Sequence, residues 1–301
     1  MSDLPRVGFV GVGLMGRGMA ANLLAKGFPL TVLIHRNRAP AGSLLANGAG
    51  EAATPRALVE MSDVVILCLP NSQIVEAVVL GPGGVIDAAR PGLVVLDATT
   101  AEPASTRRVA AALAKKGVDM LDAPMTMTPR EAEAGTLNVL VGGEEAVLDR
   151  VRPVLDAYAR NVFHIGPIGA AHALKLINNF MSMTMSALIA EAATTARASG
   201  VDLAKLREVV SVGAVNSGMF EKIMAYAVDG DPSGLQFAIA NARKDIGYYT
   251  DIAAGAGLPS PFGTAALQLY TLACSTGHGD KHVPLMVDVM AELGGLSGEH
   301  E

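Results

Sequence analysis

Three groups of residues in this 301-residue chain have types and spacings suited to chemistry. The first is Gly11-Val12-Gly13-Leu14-Met15-Gly16, directly after the apolar run Val7-Gly8-Phe9-Val10. A short strand, G-x-G-x-x-G and a helix, in that order, form a cradle for a dinucleotide pyrophosphate. Gly11 permits the tight turn, Gly13 lets backbone approach the phosphates, and Gly16 lets the helix pack on the sheet. Leu14 and Met15 lie at the helix N-terminus, where partial positive charge favours an anion.

The second group closes the next strand, where Leu33-Ile34 runs into His35-Arg36-Asn37-Arg38. An acidic residue near here would mark NAD by holding the ribose hydroxyls. No Asp or Glu occurs between Asp3 and Glu51. Arg36 and Arg38 suit a 2′-phosphate instead. NADP(H) is therefore the preferred cofactor, with NAD(H) possible; solvated loop arginines are the competing reading.

The third group is Lys175 at the start of a long apolar stretch, with Asn179, Ser182 and Ser186 at i+4, i+7 and i+11. These positions share one helix face. A Lys on a buried face has its pKa lowered by desolvation, which suits proton transfer near neutral pH. A lysine snorkelling from a helix start is the plainer alternative.

The elements that must position these groups alternate through the first half. Apolar runs begin near Val7, Leu30, Val64, Val94, Val118 and Leu137, separated by stretches with helical spacing. Alternating strands and helices predict βαβ units and a largely parallel, doubly wound sheet. After Gly169 strand signals stop and helical patterns follow, from Ala170–Ala198 to Val283–Leu293. The expected fold is α/β, a Rossmann-type domain over 1–165 and an all-α domain over 166–301, joined by a long helix.

Composition agrees. Half of the residues are hydrophobic, 17% are charged, 4% are aromatic, and 33 are Gly. That excludes a disordered chain and disfavours an aromatic-rich all-β fold. With a net charge of −6 and no basic patch, neither nucleic acid nor an anionic membrane is an expected partner. The stretch from Lys175 to Glu191 is too short and too interrupted to span a bilayer. No signal peptide is apparent, and Cys68 and Cys274 have no metal or redox spacing, so a cytoplasmic, reduced protein without a metal is expected. Cys68 itself reads as a buried thiol.

Several motifs in order resemble the β-hydroxyacid dehydrogenases, the family of 3-hydroxyisobutyrate dehydrogenase and glyoxylate or succinic semialdehyde reductases. They are Gly8–Gly16, Leu69-Pro70 after a central strand, Asp97-Ala98-Thr99-Thr100, Asp122-Ala123-Pro124, Gly135-Thr136-Leu137, Gly166–Asn179 and Lys244-Asp245. The resemblance implies hydride transfer between a nicotinamide cofactor and a small 3-hydroxy acid or its semialdehyde. It implies Lys175 as general acid/base and Asn179 as its partner on the substrate. Leu69, Pro70, Thr99 and Lys244 would lie by the cofactor, and the active site would lie in a cleft between the domains. A homodimer or homotetramer is expected.

Departures from the family pattern bear on the substrate. Most relatives read Ser-Gly-Gly where this chain has Thr126-Met127-Thr128. Thr126 and Thr128 retain hydrogen-bond donors, but Met127 removes the room that glycine gives. A sulfolactaldehyde-type or other aldehyde reductase with an altered loop is therefore the alternative. A non-catalytic NADP-binding module is a further one, against which Lys175 stands. Ser182 replaces the Glu of related 6-phosphogluconate dehydrogenases, which disfavours oxidative decarboxylation. Lys175 also disfavours imine reduction, since imine reductases of this fold usually lack it.

Overall fold

A computed structural model describes residues 4–34 and 38–296. The chain divides into two compact units, Met1–Lys175 and Leu176–Glu301.

The first unit is built on nine strands: β1 (Val7–Val10), β2 (Leu30–Leu33), β3 (Gly50–Ala52), β4 (Val64–Leu67), β5 (Val94–Asp97), β6 (Asp119–Asp122), β7 (Met125–Thr126), β8 (Leu137–Gly142) and β9 (Ala159–Gly166). Their order is β3-β2-β1-β4-β5-β6-β8-β7, with β9 also paired to β8. The run from β3 to β6 is parallel, in the doubly wound arrangement. β8 runs antiparallel to β6 and β7. Its helices are α1 (Leu14–Ala25), α2 (Gly42–Ala46), α3 (Pro55–Glu60), α4 (Ser72–Leu80), α5 (Pro103–Ala114), α6 (Pro129–Ala134) and α7 (Glu145–Leu155).

The central strands are apolar throughout because both sheet faces are covered. Val64 and Ile66 of β4 join one core with Phe9, Val32 and Leu96. Val65 and Leu67 join the other with Val10, Val95 and Leu113. The strand period of two thus feeds two cores from one continuous run.

Helix α8 (Ala170–Ala198) begins in the first unit and continues into the second. The second unit adds α9 (Leu203–Ser211), α10 (Gly218–Asp229), α11 (Ile239–Gly255), α12 (Pro261–Ser275) and α13 (Met286–Leu293). Its core gathers Met183, Ala190, Ile223, Ile246, Tyr270 and Met286. Phe180 stacks on Tyr249 at 3.9 Å, and the Tyr270 hydroxyl donates to the Met183 carbonyl at 2.8 Å. No helix among the described residues is long and apolar enough to cross a membrane.

Sequence patterning passes over β3, β7, β9, α3 and α6, of which β7 has two residues. β3 has three residues and α3 and α6 six each. They are too short to show a period. β9 is mostly half-buried or exposed, so its alternation is weak. Cys68, just past the end of β4, is partly exposed as a residue and packs against the core.

Candidate active site

The glycines after β1 divide the labour as their spacing predicts. Gly11 has φ +100°, and a Cβ there would lie 2.1 Å from the Cys68 carbonyl oxygen. A Cβ on Gly16 would lie 2.0 Å from the Gly11 carbonyl oxygen. Gly13 differs: nothing lies within 4 Å of its Cβ position. It is also the N-cap of α1, with no side-chain cap and no acidic residue in the first turn. The helix therefore presents backbone N–H groups to open space, and a dinucleotide phosphate fits there. Leu14 is exposed and Met15 partly buried at this helix start.

β1 and β4 are adjacent strands on either side of the point where strand order reverses, the usual position of a ligand crevice. Leu69 and Pro70 follow β4. The Leu69 N–H donates to Thr99 Oγ1 at 3.1 Å, joining two expected cofactor residues. Thr99 is almost fully buried, so its hydroxyl serves this junction. Pro70 is exposed.

His35, Arg36 and Asn37 lie outside the described residues. Arg38 pairs with Glu51 at 2.6 Å. Glu51 lies on β3, opposite Val32 of β2. Scanning only the residues that follow β2 misses this carboxylate, which the sheet brings in from the neighbouring strand.

Two buried carboxylates close β5 and β6 at paired positions, Asp97 and Asp122. Asp122 accepts the Gly169 N–H at 2.7 Å and the His172 N–H at 2.8 Å. It thereby caps the N-terminus of α8 from another element, which favours a negative charge there. Sequence reasoning gave Asp122 only a place at the mouth of a loop. Lys175 lies in the second turn of α8, not at the helix start as its place before the apolar stretch suggested, and is partly buried.

In the second unit Asn179 is buried, and its amide donates to Asp245 Oδ2 at 2.7 Å. The other oxygen of Asp245 pairs with Lys244 Nζ at 3.0 Å. Lys244 also sits 5.3 Å from the centre of the Tyr248 ring. One buried carboxylate thus joins two of the expected functional residues and fixes which end of the Asn179 amide faces Asp245. The sequence names Asp245 only as the neighbour of Lys244 in a motif and gives it no role. The remaining polar stripe is structural: Ser182 donates to the Asn178 carbonyl and Ser186 to the Ser182 carbonyl, both at 2.9 Å.

The loop after β6 departs from expectation. Met127 adopts φ +86°, a left-handed conformation that glycine takes without strain. The residue is 54% exposed. Thr128 was expected to keep free donors, but both are occupied. Its N–H and its hydroxyl each donate to Glu131 Oε2, at 3.0 and 2.5 Å. The Thr128 hydroxyl bond holds the Glu131 carboxyl below its ordinary range. Thr126 lies in β7 opposite Asn138 of β8. Helix α6 is fixed against α1, where a Cβ on Gly18 would lie 2.6 Å from Ala132 backbone. The Asn22 amide donates to the Ala132 and Glu133 carbonyls.

Comparison with known proteins accounts for this assembly. The profile of the NAD binding domain of 6-phosphogluconate dehydrogenase matches residues 6–166. That of the NAD-binding domain of NADP-dependent 3-hydroxyisobutyrate dehydrogenase matches residues 169–290. The chain belongs to the 3-hydroxyisobutyrate dehydrogenase-like β-hydroxyacid dehydrogenases. It is 32% identical to 2-(hydroxymethyl)glutarate dehydrogenase of Eubacterium barkeri, covering 97% of each chain. It is 34% identical to the NAD-dependent L-serine dehydrogenase of Pseudomonas aeruginosa, over 92% of this chain and 95% of that one. The crystal structure of a 3-hydroxyisobutyrate dehydrogenase from Salmonella typhimurium superposes with a TM-score of 0.83 at 33% identity, over 94% of this chain and 99% of that one. The protein is thus one of the NAD(P)-dependent 3-hydroxyacid dehydrogenases and semialdehyde reductases.

Proposed function

We propose that this dehydrogenase interconverts a small 3-hydroxy acid and its semialdehyde, with Lys175 as general acid/base and NADP(H) preferred. The observation that carries the reading is the Asp245 carboxylate. From α11 it holds Lys244 and orients the amide of Asn179, which follows Lys175 by one turn on α8.

The cradle of Gly11, Gly13, Leu14, Met15 and Gly16 would hold the cofactor pyrophosphate, and Leu69-Pro70 would border the nicotinamide half. When bound, the cofactor supplies or accepts the hydride. In reduction Lys175 Nζ gives a proton to the carbonyl oxygen as its negative charge develops; in oxidation the neutral amine takes the hydroxyl proton. Asn179 presents its amide to the same oxygen, with one N–H already committed to Asp245. Lys244 supplies positive charge beside it. Arg36 and Arg38 are assigned to the 2′-phosphate, with Arg38 exchanging Glu51 for the phosphate.

A second reading, an aldehyde reductase for a substrate with a different polar tail, draws support from the loop. With Thr128 committed to Glu131, a substrate carboxylate has only Thr126 and backbone to meet it there. Turnover of succinic, methylmalonic and tartronic semialdehydes, glyoxylate and sulfolactaldehyde, followed by NADPH and NADH absorbance, distinguishes the two. Lys175→Met should abolish turnover while NADPH still binds. Near wild-type activity in that variant refutes the assignment. Silence across the panel with tight cofactor binding would favour a non-catalytic module.

A further inference from the structure

A group of buried polar side chains lies behind the first turn of α8, and no step of the reaction above uses it. Asp97, Asp122, Thr106 and His172 are each at most 1% exposed. Asp122 has both oxygens occupied by backbone N–H groups. Asp97 Oδ1 accepts the Thr99 N–H at 3.0 Å. Its Oδ2 and the Nε2 of His172 have no hydrogen-bond partner among the described residues.

The tautomer of His172 follows from its neighbour. Thr106 Oγ1 lies 2.7 Å from His172 Nδ1 and 3.0 Å from the Glu102 carbonyl oxygen. Two oxygens that close need the hydroxyl proton between them, so Thr106 donates to Glu102. The Thr106 oxygen then accepts, and His172 Nδ1 carries the donating proton. That leaves Nε2 as the open position of the ring. If it is bare and Asp97 is ionised, the pocket holds two unpaired acceptors and two carboxylates on adjacent strands. Each unsatisfied acceptor and each unpaired buried charge is costly. One added proton removes both problems.

We propose that Asp97 and His172 jointly hold one buried proton, carried on Asp97 Oδ2 or His172 Nε2, directly or through a bridging water. The pair is then neutral, and the pocket keeps the single negative charge of Asp122 facing the helix N-terminus. The surrounding charges agree. Burial pushes the Asp97 carboxyl above its ordinary range, and Asp122 adds to the push while His172 opposes it. From the end of β4, the Cys68 thiol is pushed up to about 12 by burial and by Asp97. From α5, a terminal nitrogen of Arg107 lies 3.0 Å from the Cβ position of Gly169. Lys175 follows in the next turn of α8.

Proton counting tests this without any substrate. Around neutral pH the folded wild-type pair holds one proton. In Asp97→Asn the carboxyl is gone and the site holds one proton fewer. The unfolded chains differ little, because a free Asp has lost its proton above about pH 5. By linkage, the ratio of the unfolding constants, wild type over variant, should rise about tenfold per pH unit. A ratio independent of pH overturns the proposal. If the variant does not fold, the wild type decides the matter at pH 8. A protonated carboxyl stretch in the infrared, or a doubly protonated imidazole in the nitrogen-15 spectrum, must be present. The absence of both overturns it.

Discussion

Replacing Asp122 by Ala tests whether a distant carboxylate sets the start of the helix that carries Lys175. Asp122 is fully buried and accepts two backbone N–H groups, at 2.7 and 2.8 Å. A hydrogen bond to a charged group contributes about 1.5–3 kcal/mol. Removing both leaves two buried donors unsatisfied, so the variant should lose roughly 3–5 kcal/mol. For a unit of this size that is a fall of about 8–15 °C in midpoint temperature. Asp122→Asn keeps one acceptor and turns an amide N–H toward the second donor, so its loss should be smaller, about 2–3 kcal/mol. Urea unfolding measures the loss, and hydrogen exchange at 169–175 locates it. Gly142→Ala is an independent check, since its Cβ would lie 2.4 Å from Asp122 Oδ1 and push the carboxylate from its place. With Lys175 in the proposed general acid/base role, a displacement of about 1 Å can cost roughly 100-fold in rate, so turnover should fall in all three variants. The argument fails if Asp122→Ala loses less than about 1 kcal/mol and amide protection at 169–175 is unchanged.

Other consequences are as direct. Both Asp245→Asn and Asp245→Leu remove the ion pair with Lys244, but Asn keeps an acceptor for the Asn179 amide and Leu does not; turnover should fall much further in the Leu variant, and equal losses would refute the orienting role. Met127→Gly exchanges left-handed strain for glycine's chain entropy and should change stability by less than about 0.5 kcal/mol. Met127→Val, stiffer at the same φ, should cost about 1–2 kcal/mol by urea unfolding. Arg38→Ala should weaken NADPH about tenfold and leave NADH nearly unchanged; equal weakening of both in a binding titration would remove Arg38 from the phosphate.

The dinucleotide-binding half was legible because its signals are local. Gly11, Gly13 and Gly16 act within one turn, and a strand such as Val64–Leu67 shows its burial as an unbroken apolar run. That Lys175 and Asn179 stand one turn apart on a single helix was legible for the same reason. Glu131 could also have been found, since Thr128 and Glu131 stand three residues apart before a short helix, as in a capping box. What stayed hidden depends on contacts between residues far apart in sequence. Glu51 reaches Arg38 only because β3 pairs with β2, and Asp245 reaches Asn179 across 66 residues.

The low charge content points the same way. A chain in which 17% of residues are charged still buries Asp97, Asp122 and Asp245 almost completely. Burying a carboxylate is unfavourable unless its oxygens are engaged. Asp122 is engaged by two backbone donors, and Asp245 by Asn179 and Lys244. Each is therefore committed to one geometry, and each acts on a group tied to α8. Asp97 Oδ2 has neither a second donor nor an ion pair of that kind, and like His172 Nε2 it has no hydrogen-bond partner among the described residues. Two carboxylates are compensated by donors that the fold supplies; the third requires a proton, and pH-dependent unfolding of Asp97→Asn measures whether it has one.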